Sequence, residues 1–591
     1  MYLPQVLLVL LAVYAVPALA LWPQLALTAR TAVAIPLISI LVVFAAATVL
    51  PTLDAYSPAT VRGLSAILVI AASLRLWRLF RVHSQKPSWT GADKAALAVA
   101  LAYGAYVALR LLEGGFDEND EIYSWNMWAI QHFLGEAPDY AYTQSPYPQL
   151  FPKLLSYSYM LLGSPEAQTG VKTPIFIFPV CMFFAIGLAA GQTNDKRFAF
   201  AQAVLCLLLL KGVQLDSIFD NGMPDALLAT AITISAFSLF LYQRDNQQKS
   251  YLIICTLTAA LAALTKQPGL LWALFSLPVL LFVGAARKQN SWRALFIGLA
   301  PALCAIAWII TEGGGFHDND GVVSRSFENR GAAQQLFFSS KKWFLNEPVI
   351  LLLTAFSAFT AFRTKTGRAL FVFFVVPSLI MWLLIASYDL RAGAPSIAIL
   401  ALIIAAAGYG LTEAFHQPSR FKLLYNPLYR RIAIAGLLIA MAGGGAIELL
   451  NYKKDHPSHQ IGRTQLSNLY IAFGGDADLI YAKLRRDDVT IWTPTNYVYG
   501  LFYGYQRVIR PKYGAQPYSP TQLMKQVRRA QPDYLTDGGT APFGIGGATL
   551  TLLATQLCPE IFRKISGPHN QYQISVYALD KTALDAGACD L

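Results

Sequence analysis

The sequence predicts a polytopic α-helical membrane protein with about 14 transmembrane helices and a soluble α/β domain at its C-terminal end. Of the 591 residues, 55% are hydrophobic and only 14% are charged, which is too little charge to cover a soluble protein of this length. Long apolar runs recur from the first residue to about position 450, and the composition then becomes that of a soluble domain. Together these observations identify the lipid bilayer as the main solvent of the chain.

The apolar runs define the predicted membrane spans. Most reach or approach the ~20 residues that cross about 30 Å of hydrocarbon, and the shorter ones fit among neighbouring helices. The first run lacks a basic segment and a small-residue cleavage site, so we expect a retained helix and not a removed signal peptide. The spans lie near 3–22, 33–50, 61–81, 94–112, 170–191, 198–212, 225–242, 250–265, 269–285, 293–310, 348–362, 369–387, 394–412 and 432–450.

The positions of Lys and Arg predict the orientation of these spans. All the basic loops fall on one side of the membrane, and the positive-inside rule makes that side cytoplasmic. The net charge of +12 reflects this bias and attraction to anionic lipid. We do not attribute it to nucleic-acid binding, because no basic stripe with interleaved aromatic residues occurs. The basic loops lie around 78–94, 196–197, 244–249, 287–293, 363–368 and 420–431.

The opposite, outer side receives the longest loops. Residues 113–169 contain two aromatic-rich segments of helical period, IYSWNMWAIQHFL and LFPKLLSYSYMLL, which favour helices that lie in the interface plane and roof the bundle. Residues 311–347 are polar and Gly-rich, and loops of this length are commonly lids or binding elements. We expect a lid that contains His317 and Arg325. His317 and Asp318 could contact an acceptor or a metal, although a solvated polar loop explains them better.

The outer tail, residues 451–591, alternates predicted strands with predicted helices. Strands are expected at DVTIWTP, RVIRP, DYLTDG and YQISVYALD, and helices at SPTQLMKQVRRA and GGATLTLLATQL. This alternation predicts a small α/β layer domain of about 130 residues. No G-x-G-x-x-G motif follows a predicted strand, so nucleotide binding is not expected. Cys558 and Cys589 could pair if the outer compartment is oxidising, unless the second is frayed at the chain end.

A cluster of four carboxylates opens the first outer loop. The stretch GGFDENDEIYSW contains Asp117, Glu118, Asp120 and Glu121. Partial burial at a membrane boundary raises the pKa of a carboxyl group towards the working pH, which suits a general base. Acids also favour the first turn of a helix, here one that starts near Ile122, but four acids exceed what a helix start needs. Asp117 and Asp120 could also form a weak site for Mg²⁺ or Mn²⁺, although no cofactor is required.

Four stretches together resemble a known family. The residues DEIY and the aromatic helix after them resemble the first outer loop of the GT-C superfamily of membrane glycosyltransferases. The similarity is to its polyprenyl-phosphate-sugar-dependent branch, which includes protein O-mannosyltransferases and aminoarabinose transferases. Three further stretches are similar to motifs of that branch in the same order: FDNGMPDALLATAI (219–232), ALTKQPGLLWAL (263–274) and YDLRAGAPSIAILA (388–401).

The resemblance implies roles for the acids. Asp120 would be the catalytic base that deprotonates the acceptor hydroxyl, with the carboxylate of Glu121 beside it. Acceptor or donor binding would fall to Asp117, Glu118, Tyr123, Asp220 and Asp225. For Asp225 the helix dipole is an alternative reason, because this residue follows a proline in the first turn of a helix.

The resemblance also implies that Lys266 and Arg391 hold the donor phosphate. A lipid-linked sugar phosphate needs cations at headgroup depth. Arg binds phosphate oxygens bidentately and stabilises the negative charge that grows as the sugar leaves. The alternatives are that Lys266 snorkels from the membrane edge and that Arg391 forms a structural ion pair with Asp389.

The expected function is therefore that of a GT-C-like integral membrane glycosyltransferase. It would move a sugar from a polyprenyl-phosphate donor to a hydroxyl of a glycan, lipid or protein acceptor, on the outer face of the cytoplasmic (inner) membrane. The predicted parts are N-terminal helices (1–92), a catalytic core (93–450) and the tail (451–591), and the role of residues 1–90 stays open. The alternatives are an oligosaccharide ligase or polymerase with a diphosphate-linked donor, and a transporter or flippase.

Overall fold

The computed structural model describes most of the membrane region and much of the tail. The predicted spans 198–212 and 432–450, half of 293–310, and most of the predicted lid lie outside the described residues. The described ranges are 2–22, 28–82, 89–112, 115–116, 120–138, 140, 147–190, 216–219, 221–244, 249–284, 299–307, 311, 331–345, 348–362, 364–385, 390–415, 476–484, 488–494, 507–509, 519–537, 547–566 and 574–589.

Eight helices in the described residues are long and apolar enough to cross a membrane: Leu3–Leu21, Ala29–Thr52, Pro58–Arg78, Gly91–Leu111, Gln168–Ala190, Asp225–Arg244, Lys365–Leu384 and Leu390–Ala407. A bent pair, Ala332–Phe344 and Pro348–Ala361, makes a ninth if it is counted as one span. Helices Lys249–Thr265 and Gln267–Gly284 form at two further predicted runs. A polytopic membrane protein is thus confirmed, and the count of about 14 stays a prediction.

Helix Asp225–Arg244 lies at the centre of the bundle and is buried along nearly its whole length. Its hydroxyls bond to neighbouring helices. Thr230 donates to the carbonyl of Phe178 at 3.1 Å, and Ser235 donates to the carbonyl of Cys255 at 2.9 Å. Interhelical hydrogen bonds of this kind contribute about 0.6 kcal/mol each in a membrane. They fix the rotation of the central helix, and with it the position of the segment that precedes the helix.

Small residues set the closest helix contacts. An added Cβ at Gly187 would lie 2.8 Å from the Cβ of Ala96 on helix Gly91–Leu111, and one at Gly269 would overlap the carbonyl oxygen of Ala262. Glycine allows such close backbone approach in membrane bundles. The chain therefore turns back tightly after Lys249–Thr265, and this turn fixes the backbone of Lys266.

The N-terminal spans support the first outer loop. The guanidinium of Arg62 donates to the carbonyls of Leu161 and Leu162, both at 2.9 Å. These are orphan carbonyls at the C-terminal end of helix Leu150–Leu162, which stops at a left-handed glycine. The described part of residues 1–90, whose role the sequence left open, thus packs against helix Leu150–Leu162 of the loop that carries the acidic cluster.

The two expected loop helices form at Asn126–Phe133 and Leu150–Leu162, and both are largely buried within the protein. The N-terminal spans pack against the second of them, where the Tyr56 hydroxyl lies 3.1 Å from the Ser156 hydroxyl. The position of the two helices in the interface plane stays a prediction. Burial lowers the pKa of His132 to about 4, so its ring is neutral near pH 7 and lies 3.0 Å from the side-chain oxygen of Gln149.

The tail contains a five-stranded mixed sheet. Its strands are β1 Thr490–Trp492, β2 Arg507–Ile509, β3 Tyr534–Thr536, β4 Phe562–Ser566 and β5 Val576–Leu579. Their order across the sheet is β2-β1-β3-β5-β4. Strand β1 is parallel to β2 and β3, whereas β5 is antiparallel to β3 and β4. Strand β4 was not predicted from the sequence. Helices Pro520–Ala530 and Gly547–Leu552 form where expected, and Cys558 and Cys589 form a disulfide.

The other helical elements include the parts that make up several of these spans, and some continue a longer helix with a changed pitch. They are Leu3–Val9, Leu10–Ala15, Val16–Leu21, Ala29–Ala32, Ile35–Thr52, Pro58–Val82, Glu121–Trp125, Gln168–Lys172, Thr173–Phe176, Ile177–Ala190, Asp216–Phe219, Ala332–Ser340, Lys341–Leu345, Lys365–Leu370, Phe371–Val375, Val376–Ile385, Leu390–Gly393, Ala394–Phe415, Ala477–Leu484, Leu553–Leu557 and Lys581–Asp585.

Replacing Gly269 with Ala is expected to destabilise the protein by at least about 1–3 kcal/mol, because the new methyl overlaps the Ala262 carbonyl oxygen and the backbone must shift. Gly63→Ala is the matched control, since nothing lies within 4 Å of its added Cβ and Ala favours a helix more than Gly does. The melting temperatures of the two variants are measured in detergent by heating samples and quantifying the folded protein by size-exclusion chromatography. Equal melting temperatures would contradict the close helix contact.

Candidate active site

The segment Asn221–Asp225 lies at the centre of the candidate site. It precedes the central helix, and the side-chain oxygen of Asn221 accepts a hydrogen bond from the backbone of Met223 at 3.1 Å, which closes a local turn. Charged side chains from three distant parts of the chain contact this segment. Residues from three of the four stretches that carry the family resemblance thus contact the remaining stretch, residues 219–232.

Glu121 and Lys172 form a buried ion pair on one side of this segment. The ammonium of Lys172 lies 3.1 Å from Oε2 of Glu121 and donates to the carbonyl of Gly115 at 2.8 Å. The other carboxylate oxygen, Oε1, accepts the backbone N–H of Gly222. Buried charges are tolerated when they are paired and hydrogen-bonded. This pair therefore ties the acidic loop to the segment before the central helix.

Gly222 has no room for a side chain. An added Cβ would overlap the ring of Phe116 and lie 3.4 Å from the carboxyl carbon of Glu121. Phe116 is itself fully buried, and its backbone N–H donates to the side-chain oxygen of Gln168 at 3.3 Å. Glycine is needed here because the backbone N–H must approach a buried carboxylate closely.

Asp120 and Arg391 form the open ion pair of the site. Nη2 of Arg391 lies 3.3 Å from Oδ2 of Asp120, and the two side chains are 28% and 40% exposed. Nη1 of Arg391 contacts the sulfur of Met223. Arg391 lies on the short turn Leu390–Gly393 before helix Ala394–Phe415. A pair this exposed contributes less than about 1 kcal/mol, so a bound anion can replace the carboxylate at little cost.

Asp225 and Lys266 form a third pair. The ammonium of Lys266 lies 2.8 Å and 3.0 Å from the two carboxylate oxygens of Asp225. Asp225 is buried in the first turn of the central helix, where the helix dipole favours an acid. Lys266 is partly exposed at the turn between two helices, so its ammonium can contact a ligand while it stays bound to Asp225.

The structure brings together Asp120, Glu121, Asp225, Lys266 and Arg391 around Asn221–Asp225. The backbone of Tyr123 lies in the helical segment Glu121–Trp125, and its side chain lies outside the described part of the structure. Other predicted site residues lie outside the described residues: Asp117, Glu118, Asp220, His317 and Arg325. Among the described residues no group of three or more His, Cys, Asp or Glu could hold a metal. The weak Asp117–Asp120 metal site stays a prediction.

Sequence reasoning missed Lys172. It lies near the start of the apolar run 170–191, where we assigned no function. Ionisable residues in such runs are rare, usually face the protein interior and pair with another residue. That rule could have identified Lys172 as buried, although not Glu121 as its partner.

This chain is similar to a known protein in its three-dimensional structure. Neither the family models nor the curated proteins include a match to this chain. The crystal structure of ArnT from Cupriavidus metallidurans bound to undecaprenyl phosphate is similar, with a TM-score of 0.51 and 15% sequence identity. The match covers 85% of this chain and 100% of that chain. The chain therefore has the membrane-protein fold of that ArnT structure.

Replacing Lys172 with Met should leave the Glu121 carboxylate buried without its cation, which costs about 3–5 kcal/mol. The melting temperature in detergent should fall, and adding Glu121→Gln should restore part of the loss. Lys581→Met is the matched control, because Lys581 pairs with Asp533 at 2.6 Å where the two side chains are 40% and 33% exposed, and pairs in contact with solvent are worth about 0–1 kcal/mol. If Lys172→Met and Lys581→Met have the same melting temperature, the buried Glu121–Lys172 pair does not stabilise the site.

Proposed function

We propose that this chain, which has an ArnT-like fold, is an integral membrane glycosyltransferase that moves a sugar from a polyprenyl-phosphate donor to an acceptor hydroxyl. The observation that carries the proposal is the open Asp120–Arg391 pair beside the Asp225–Lys266 pair. Together they offer a carboxylate that can accept a proton and two cations that can bind phosphate. ArnT, whose structure is similar, was crystallised with undecaprenyl phosphate, which supports a donor of this class.

The donor phosphate would bind between Arg391 and Lys266. The guanidinium offers two parallel donors to phosphate oxygens, and the ammonium adds a point charge. Negative charge on the phosphate grows as its bond to the sugar breaks, so cations held in place beforehand lower the barrier. Both cations are partly exposed while paired with carboxylates, which leaves them accessible to a ligand.

Asp120 would act as the base. When phosphate replaces Asp120 on Arg391, the carboxylate is released and can take the proton of the acceptor hydroxyl. The hydroxyl oxygen then bonds to the anomeric carbon as the polyprenyl phosphate leaves, a single displacement with inversion. Glu121 is less suited to this step, because Lys172 and Gly222 occupy one oxygen each. Its role in this proposal is to position its neighbour Asp120.

The reaction would take place outside the cytoplasm. The distribution of Lys and Arg predicts that the acidic loop and the tail share the outer side. The disulfide between Cys558 and Cys589 in the tail supports this, because disulfides persist in oxidising compartments such as the periplasm. The acceptor would be a glycan, lipid or protein that reaches this face, and no step of the proposal uses a metal.

The two alternative functions differ from the proposed one in the substrate that the protein would bind. An oligosaccharide ligase or polymerase could place a diphosphate on the same two cations. A transporter or flippase would place ionisable residues at the bilayer midplane. Here Asp225, Lys266 and Arg391 lie at helix ends, which favours a site near one membrane surface and a reaction of a lipid headgroup.

Asp120→Asn should lower the kcat of sugar transfer by about 10²–10⁴-fold, because the amide cannot accept the proton. The KM for the donor should change little, since Arg391 and Lys266 remain. Purified protein in vesicles, supplied with radiolabelled polyprenyl-phosphate sugars and a panel of acceptors, measures both values. Asp54→Asn is the matched control, because Asp54 is an exposed acid on the turn between two N-terminal spans.

Other outcomes would overturn the proposal. Transfer only from a diphosphate-linked donor would identify the ligase or polymerase. Movement of a solute by both forms, with no sugar transfer by either, would identify a transporter.

A further inference from the structure

The segment Ala332–Leu345 has the properties of a helix that lies flat on a membrane. It consists of helix Ala332–Ser340 and its continuation Lys341–Leu345, and it is bent by 99° from the following helix Pro348–Ala361. At 1.5 Å per residue its length is about 20 Å, which is too short to cross about 30 Å of hydrocarbon. A position of the segment in the plane of the membrane surface agrees with both its short length and its bend from the following helix.

Its exposed residues suit the boundary between lipid chains and headgroups. The adjacent rings of Phe337 and Phe338 are 65% and 47% exposed. Lys341 and Lys342 are exposed next to Trp343, and the Lys342 ammonium lies 4.5 Å above the Trp343 ring. Aromatic and basic residues in this combination bind interfaces that contain anionic lipid. Such lipid also explains why two lysines lie on the side of the membrane that the positive-inside rule makes poor in them.

The same segment contacts Trp382, which packs against the turn that carries Arg391. The rings of Trp343 and Trp382 lie 5.2 Å apart, and Trp382 is buried. Trp382 also lies against Gly393, where an added Cβ would be 2.7 Å from the indole. Gly393 ends the turn that begins at Leu390 and carries Arg391. Two tryptophans therefore connect the segment to the cation that pairs with Asp120.

We propose that Ala332–Leu345 is an in-plane anchor that binds the anionic lipid interface and, through Trp343 and Trp382, positions the Arg391 turn. A lipid-borne phosphate arrives at headgroup depth, so an anchor at that depth holds Arg391 level with its ligand. The membrane contact stands independently of the enzymatic activity. The positioning of Arg391 rests on the proposed function.

A nitroxide attached at Phe337→Cys tests the membrane contact. The protein, in a Cys304→Ser background to limit unwanted labelling, is reconstituted in vesicles of phosphatidylethanolamine and phosphatidylglycerol. The label at 337 should be accessible to oxygen and shielded from a water-soluble nickel reagent. A label at Leu557→Cys, an exposed position in the tail, should show the reverse. A label at 337 that is as accessible to nickel as the one at 557 would overturn the anchor.

Trp343→Ala tests the positioning of Arg391. The KM for the polyprenyl-phosphate donor should rise about tenfold with kcat within about twofold, because binding is weakened and the base is untouched. Trp343→Phe should restore most of the loss. Trp77→Ala, which removes an exposed tryptophan far from this contact in the sequence, should leave the KM unchanged. An unchanged KM in Trp343→Ala would overturn the positioning. Absence of transfer by the unaltered protein would instead refute the proposed function, and the nitroxide result would still decide the anchor.

Discussion

The site depends on one electrostatic constraint, the pairing of a carboxylate and an ammonium in the protein interior. Glu121 and Lys172 are both buried, and each needs every available partner because an unpaired charge there costs several kcal/mol. Their partners include the backbone of Gly115 and Gly222. Meeting this requirement fixes two segments that are about a hundred residues apart in sequence. The acidic loop and the start of the central helix therefore have one relative position.

The three ion pairs differ in burial, and the difference divides their roles. The Glu121–Lys172 pair is closed to solvent, and the carboxylate of Asp225 is buried beneath a partly exposed Lys266. Only Asp120 and Arg391 are substantially open at both partners among these pairs. The buried Glu121–Lys172 pair fixes the relative positions of the segments that it joins. In the exposed Asp120–Arg391 pair, a ligand can replace one partner. Under the proposed function this arrangement preorganises the site, because Glu121 holds its sequence neighbour Asp120, the proposed base.

Much of this could be predicted from the sequence, for physical reasons that also explain the limits. Hydropathy located the spans because the bilayer sets their length, and the order of four motifs selected Asp120, Asp225, Lys266 and Arg391. Sequence could not show that Lys172 pairs with Glu121, because that choice depends on how helices pack. It also could not show that the N-terminal spans pack against helix Leu150–Leu162. Strand β4, with the sequence FRKIS, escaped notice because its second and third positions are charged and exposed.

The most direct test of the central claim is the affinity of the purified protein for polyprenyl phosphate without a sugar, measured by titration calorimetry in detergent. The account predicts that Arg391→Gln weakens binding at least about tenfold, because it removes the bidentate cation. It also predicts that Asp120→Asn binds at least as tightly as the unaltered protein, because the competing carboxylate is gone. Equal binding by Arg391→Gln and the unaltered protein would contradict a phosphate site between these residues.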